Sequence, residues 1–465
     1  MLLTAPAFLF LFLPLALLLS ALCGKERRRA CLLVVCGVYQ VIAHLFHPQT
    51  LAVLALLILY TFLGGILIRR AKKNAFAAVI CLLPYVALLI LRFFAYGGPL
   101  AEAYPVGLTM TIVASTSYLL DRRRENATRA RVTDLVLYLT FFPILLVGPF
   151  VRYAEFIELT REERMSLNMS RFADGARLYM VGFVKRIAVG AVIMETYRFL
   201  LASLSLHSDG AVTLLAMLLI YFAAFFIITG YADMACGVAW MLGVPVSYSP
   251  TRPLLVALPE DYGKTLLRGL YVWLEDDLLR PARALTGERG AHLITAMAYG
   301  GLPLLLIRSD LTAFAMAIPV TLLCYVSVHF DWRSALEHKK WLRILCMCLT
   351  GIGISFVWMC LTVGDAVTVA KHLFSGAYFN SVYYLNLILV TFSAREYLFL
   401  AAVALFLLGM PMLYSRLSAT KRSGARSAAE GVGSLLLLLV FAFAVLFFLP
   451  QFGSYDTAPF RYVFI

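Results

Sequence analysis

Apolar stretches long enough to cross a lipid bilayer follow one another almost without pause along this chain. They run near 5–22, 30–46, 51–68, 75–95, 104–120, 133–150, 176–202, 211–230, 292–307, 312–329, 342–362, 381–392, 397–415 and 430–449. A span takes roughly 20 apolar residues. Several of these stretches are short or interrupted, so the pattern predicts an all-α protein with about 11 to 13 transmembrane helices. Two polar segments break the rhythm. The mixed charges of 153–175 predict a surface helix. Residues 247–292 hold three prolines before Gly263, followed by a run in which leucines alternate with Lys264, Arg268, Glu275, Asp276, Asp277, Arg280 and Arg283. That pattern predicts helices lying in the interface or re-entering the membrane. The whole chain, 1–465, reads as one membrane domain. Its parts are N-terminal helices (1–125), a motif-rich middle (126–290) and C-terminal helices (291–465).

Composition excludes a soluble protein. Hydrophobic residues make up 62% of the chain and charged ones 14%, and the mean hydropathy is +0.86. A water-soluble fold of this length could not bury so much apolar surface. The net charge of +14 does not point to nucleic acid. It sits in short blocks between spans, at 25–29, 69–73, 122–131 and 416–426. Basic loops stay cytoplasmic, so both termini of this multi-pass chain are expected outside. The first apolar stretch has no basic residues before it, which makes it a first span rather than a cleaved leader. The nine cysteines are scattered through apolar segments without CxxC or zinc-ligand spacing, so packing is their expected role and no metal site is expected.

A few residues do not suit plain packing. FFPILLVGPFVR (141–152) places Pro143, Gly148, Pro149 and Arg152 in an apolar run. Each proline breaks helix hydrogen bonding, and broken backbone in lipid is tolerated only against protein or a wet cavity. Asp233 lies within ITGYADMACGVAWMLG (228–243), flanked by Gly230, Tyr231 and Gly237. A carboxylate there must be paired or functional, and an arginine such as Arg152 is its expected partner. Lys185 and Arg186 are either positive anchors or the entrance for an anion. Trp273 and Trp358 read as packing or belt residues, or as part of a site. The segments 141–152, 230–237 and 264–281 are expected to converge on the cytoplasmic half of a central cavity.

Taken in order, these stretches resemble the membrane-bound O-acyltransferase family. The resemblance is to the branch of the alginate O-acetylases and the D-alanyl transfer protein of teichoic acids. PVGLTMTIVASTSYLLD (105–121) is similar to its "PLGISF…SYLID", FFPILLVGPFVR to "FFPQLVAGPIVR", and ITGYADMACGVAWMLG to "FSGYSDMAIGLARLLG". TRPLL (251–255, with Arg252) is similar to "NRPYL", WLEDDLLRP (273–281) to "WLRDYLYIP", and the closing PFRYVFI (459–465) to "PFIYFRF". The resemblance implies a ring of helices around a funnel. It also implies an acyl thioester donor (acyl-CoA or an acyl-carrier protein) on the cytoplasmic side and an acceptor hydroxyl on the outer side. A partner with a serine nucleophile often serves such proteins, and a funnel-floor histidine acts as general base.

The histidine is where this sequence departs from the family. The segment matching the branch's "GLWHGA" reads Gly301-Leu302-Pro303-Leu304, so the expected position falls at Leu304, or at Pro303 with a shift of one. Leu267 stands where the branch has a further histidine, Ile227 where it has an aspartate and Thr362 where it has an arginine. Three readings stay open: an acyltransferase whose base has moved, with His329, Asp233 or Asp310 as substitutes; a non-catalytic scaffold, channel or partner subunit; and an unrelated transporter.

Overall fold

In a computed structural model, the fold is described over residues 3–45, 48–70, 74–95, 107–123, 131–146, 150–161, 164–165, 168–206, 209–247, 255–266, 268–307, 311–375 and 423–449. Gly148, Pro149, Arg252, Asp310 and the apolar stretches 381–392 and 397–415 lie outside the described residues, as does the closing PFRYVFI.

The chain is an all-α membrane protein. Its N-terminal helices are α1 (Phe8–Leu22), α2 (Arg28–Ala43), α3 (Pro48–Arg70), α4 (Asn74–Ala95) and α5 (Leu108–Arg123). The middle holds α6 (Val132–Thr140), α7 (Phe142–Leu146), α8 (Tyr153–Leu159), α9 (169–206) and α10 (Gly210–Met241), then α11 (Pro259–Leu266) and α12 (268–285). The C-terminal part holds α13 (288–307), α14 (Leu311–His329), α15 (Trp332–His338), α16 (Lys340–Val363), α17 (Ala366–Leu373) and α18 (423–448). Four of the described helices, α3, α10, α14 and α16, are long and apolar enough to cross a bilayer by themselves. The outer faces of α3 and α16 carry exposed Leu56, Leu59, Leu63, Leu345, Leu349 and Ile352, as lipid-facing helices do.

α10 is the axis of the fold. It is apolar on every side, and a helix with that pattern belongs in an interior. Asp209 caps its start, accepting from the backbone N–H of Ala211 at 2.8 Å and Val212 at 3.2 Å. Gly243 ends it at φ 87°, a left-handed conformation that glycine adopts without a Cβ penalty. α9 and α16 pack along it.

The α9–α10 crossing is closed by pairs of glycines. A Cβ on Gly230 would meet the Gly182 carbonyl oxygen at 2.7 Å, and a Cβ on Gly237 would meet that of Gly175 at 2.5 Å. Each helix spaces its two glycines seven residues apart, which returns them to one face after two turns. The backbones therefore approach as small-residue membrane crossings do. One buried apolar cluster draws residues from Leu3 to Leu449.

Two segments differ from the spans and surface helices that the sequence predicts. The stretch 133–150 does not run across as one span. α6 breaks at Phe141 (ψ 88°) and α7 restarts with Pro143 in its first turn, where a missing N–H costs little. The chain then turns back. The Tyr138 hydroxyl donates to the Val151 carbonyl at 2.8 Å. At one end of this hairpin Asp134 pairs with Arg29 at 2.8 Å. At the other, the Ala154 N–H donates to Asp121 at 2.9 Å, beside Arg122 and Arg123. Both feet thus rest at the arginine-rich end of the helices, so 132–146 and 150–154 belong to a re-entrant unit.

The expected surface helix at 153–175 is likewise replaced. Tyr153 and Phe156 of α8 are buried, and 169–175 is the first part of α9. The second re-entrant unit matches expectation: α11 enters, and Leu270, Trp273 and Leu274 of α12 pack on Val113, well inside α5.

Candidate functional site

A cavity of about 1490 Å³ opens between these two re-entrant units and the polar ends of α14, α15 and α16, where Arg333 and Arg343 line it beside Asp331 and Glu337. Its apolar wall includes Met110, Ala232, Cys236 and Leu266. Much of its polar lining comes from the amphipathic α11 and α12. The Glu275 carboxylate receives both arms of the Arg283 guanidinium, at 2.6 and 3.2 Å, and the Tyr299 hydroxyl donates to it. The Lys264 ammonium lies 4.5 Å above the Tyr299 ring and 3.4 Å from Asp261, which also pairs with Arg333 at 2.7 Å.

Arg152 lines the cavity at the mouth of the first hairpin. It pairs with Asp276, lies 3.6 Å from Asp277 and donates to the Val272 carbonyl at 3.4 Å. Asp276 also holds Arg280 at 3.2 Å. The hairpin and α12 meet closely here, since a Cβ on Gly269 would stand 2.4 Å from the Phe150 carbonyl oxygen. Arg152 and Asp276 each keep 27% of their side-chain surface exposed. Pairs this wet contribute little to stability. Arg280, whose side chain is 70% exposed, is the outermost of these partners, and Arg280→Gln is therefore expected to change the unfolding free energy in detergent by less than about 1 kcal/mol, a result that thermal unfolding of the purified chain checks.

Glu260, at the start of α11, is the carboxylate that the sequence reading did not single out. It lines the cavity, yet only 5% of its surface is exposed. Its Oε1 accepts from the Ser327 hydroxyl at 2.9 Å. Its Oε2 is buried and has no hydrogen-bond partner among the described residues. Burial pushes the Glu260 carboxyl above the ordinary glutamate range, against the pull of its backbone and Ser327 hydrogen bonds and of Lys264. No local sequence signal marks it. An acidic residue in the first turn of a helix, after a proline, reads as an ordinary favourable helix start.

Asp233 is fully buried and pairs with Lys185 at 2.7 Å, not with Arg152. The arginine partner anticipated from sequence is replaced because α9 lies directly against α10 at the glycine crossing, while Arg152 is held by α12. Asp233 is not among the residues that line the cavity, although its neighbours Ala232 and Cys236 are. Gly230 serves the crossing, and Tyr231 lies under the Arg186 guanidinium at 4.3 Å. Pro143 is buried in α7. Trp273 is buried against Phe150, with ring centroids 5.4 Å apart. Trp358 donates its ring N–H to the Tyr262 hydroxyl at 2.8 Å.

No described histidine lines the cavity; His47 and His207 lie outside the described residues. His329 is exposed at the end of α14, with its Nδ1 3.4 Å from that of His292. Leu304 is buried in the apolar cluster and Pro303 is half-buried beside it. Among the described residues no three metal-ligating side chains gather.

No protein-family model matches the chain. Among curated proteins, a probable alginate O-acetylase of Pseudomonas putida is 25% identical over 331 residues, covering 65% of this chain and 66% of that protein. A probable alginate O-acetylase of Azotobacter vinelandii is 26% identical over 331 residues, covering 65% of this chain and 64% of the relative. The teichoic acid D-alanyltransferase of Bacillus subtilis is 25% identical over 146 residues, covering 30% of this chain and 36% of the relative. The chain spans just under two thirds of the length of the alginate O-acetylases it matches.

Proposed function

We propose that this relative of the membrane-bound O-acyltransferases, on their alginate O-acetylase and teichoic-acid D-alanyl transfer branch, is itself an acyl-transfer protein of the cell envelope. An acyl thioester enters the cavity from the arginine-rich side, which the positive-inside rule assigns to the cytoplasm. Its acyl group leaves for a hydroxyl of an envelope polysaccharide or polymer. The donor is a thioester on coenzyme A or on a carrier protein. A secreted or membrane-anchored serine esterase-like partner can carry the group onward.

The observation that carries this reading is the shared position of the cavity and the family-like motifs. FFPILLVGPFVR supplies Arg152, and WLEDDLLRP supplies Glu275, Asp276 and Arg280 to the lining. Guanidinium groups suit the phosphates of such donors better than point charges do. The apolar wall suits an acyl chain and keeps water from the thioester.

The leucine at position 304 supports a second reading, in which the chain keeps the cavity but not the chemistry and acts as a scaffold or subunit. The full-length protein in proteoliposomes, supplied with acetyl-CoA and alginate, separates the two. Release of free CoA with labelled acetyl on the polymer is expected from a transferase. Saturable donor binding without release is expected from a scaffold.

A further inference from the structure

The acyl-transfer reading needs a proton acceptor, and the family's histidine position is a leucine. The cavity's other carboxylates are committed or exposed. Glu275 is held by Arg283 and Tyr299, Asp276 by Arg152 and Arg280, and Asp261 by Lys264 and Arg333. Glu155 accepts from the Ser247 hydroxyl at 3.2 Å, and Asp331 and Glu337 are exposed. Glu260 alone among these cavity carboxylates is buried with one oxygen unpartnered. An unsatisfied buried carboxylate oxygen is costly and persists where something else uses it.

We propose that Glu260 is the general base of this site, with Ser327 holding its other oxygen and leaving Oε2, buried at the cavity wall, as the uncommitted proton acceptor. This rests on the acyl-transfer reading above. The ionised Oε2 takes the proton of the acceptor hydroxyl. The acceptor oxygen forms a bond to the thioester carbonyl carbon, and collapse of that adduct breaks the carbon–sulfur bond. The proton passes from Glu260 to the departing sulfur, giving an ester, a free thiol and the carboxylate restored. A carboxyl pushed up by burial holds and releases a proton nearer neutrality than an exposed glutamate does.

The test uses the full chain in proteoliposomes with acetyl-CoA as donor and alginate as acceptor. Glu260→Gln keeps the shape and the Ser327 contact while removing the basic oxygen. It is expected to lower CoA release at least ~100-fold while acetyl-CoA binding stays within about twofold of wild type. Glu260→Asp, which keeps a carboxylate, is expected to retain a measurable part of the rate; a Glu260→Asp chain that binds acetyl-CoA like wild type but is as slow as Glu260→Gln overturns the assignment. Glu260→Gln turning over at the wild-type rate overturns the base and leaves acyl transfer standing. A wild-type chain that binds acetyl-CoA but releases no CoA overturns both.

Discussion

Asp233→Leu is expected to destabilise the protein by about 3–5 kcal/mol, more than any change to the exposed ion pairs of the cavity. The carboxylate is fully buried, and the Lys185 ammonium that reaches it keeps only 14% of its side-chain surface exposed. The pair lies eight residues from the end of α10, roughly 12 Å along the helix. Removing the acid leaves a buried ammonium, and the cost of that charge exceeds the worth of the pair itself. Lys185→Leu combined with Asp233→Leu is therefore expected to recover most of the loss. Chemical unfolding of the single and double variants in detergent reads the difference. A double variant no better than Asp233→Leu would mean that the pair is needed for a reason other than charge neutralisation.

Gly237→Val is expected to cost more than about 3 kcal/mol and to weaken the α9–α10 crossing as a whole. Its Cβ would meet the Gly175 oxygen at 2.5 Å and the Tyr179 backbone nitrogen at 2.7 Å. Both are backbone atoms, which cannot rotate aside, so the helices must separate and the dispersion contacts along their seam are lost. Gly353→Ala on α16 is the matched control. Nothing lies within 4 Å of its added carbon, and unfolding in detergent is expected to show no loss. Equal losses at the two positions would show that the close approach at Gly237 is not the cause, since replacing glycine within a helix otherwise favours the helix.

The sequence makes the helical plan legible because apolar length is all a span requires, and the arginine blocks order the ends. It also makes Arg152 and Asp276 legible, since charges inside apolar runs demand a reason. The prolines of 141–152 make a break legible, but not the doubling back of the chain there. A stretch of that length and hydropathy still reads as a span, and it takes the bond from Tyr138 to Val151 and the anchoring of Asp134 and Ala154 to show the return. The partner of Asp233 is hidden for a related reason. Glycines at 175, 182, 230 and 237 permit a close crossing, but nothing in their spacing says which two helices share it. Glu260 is hidden because the side chain that holds it, Ser327, lies on α14, more than 50 residues away in the chain.

The central claim is that the cavity receives an acyl thioester from the arginine-rich side. Equilibrium binding of labelled acetyl-CoA to the full chain in nanodiscs tests it most directly, with Arg152→Glu/Arg280→Glu as the comparison. Saturable binding to the wild type, at least ~10-fold weaker in the double variant, is the expected result. A wild-type chain with no saturable binding would contradict the account.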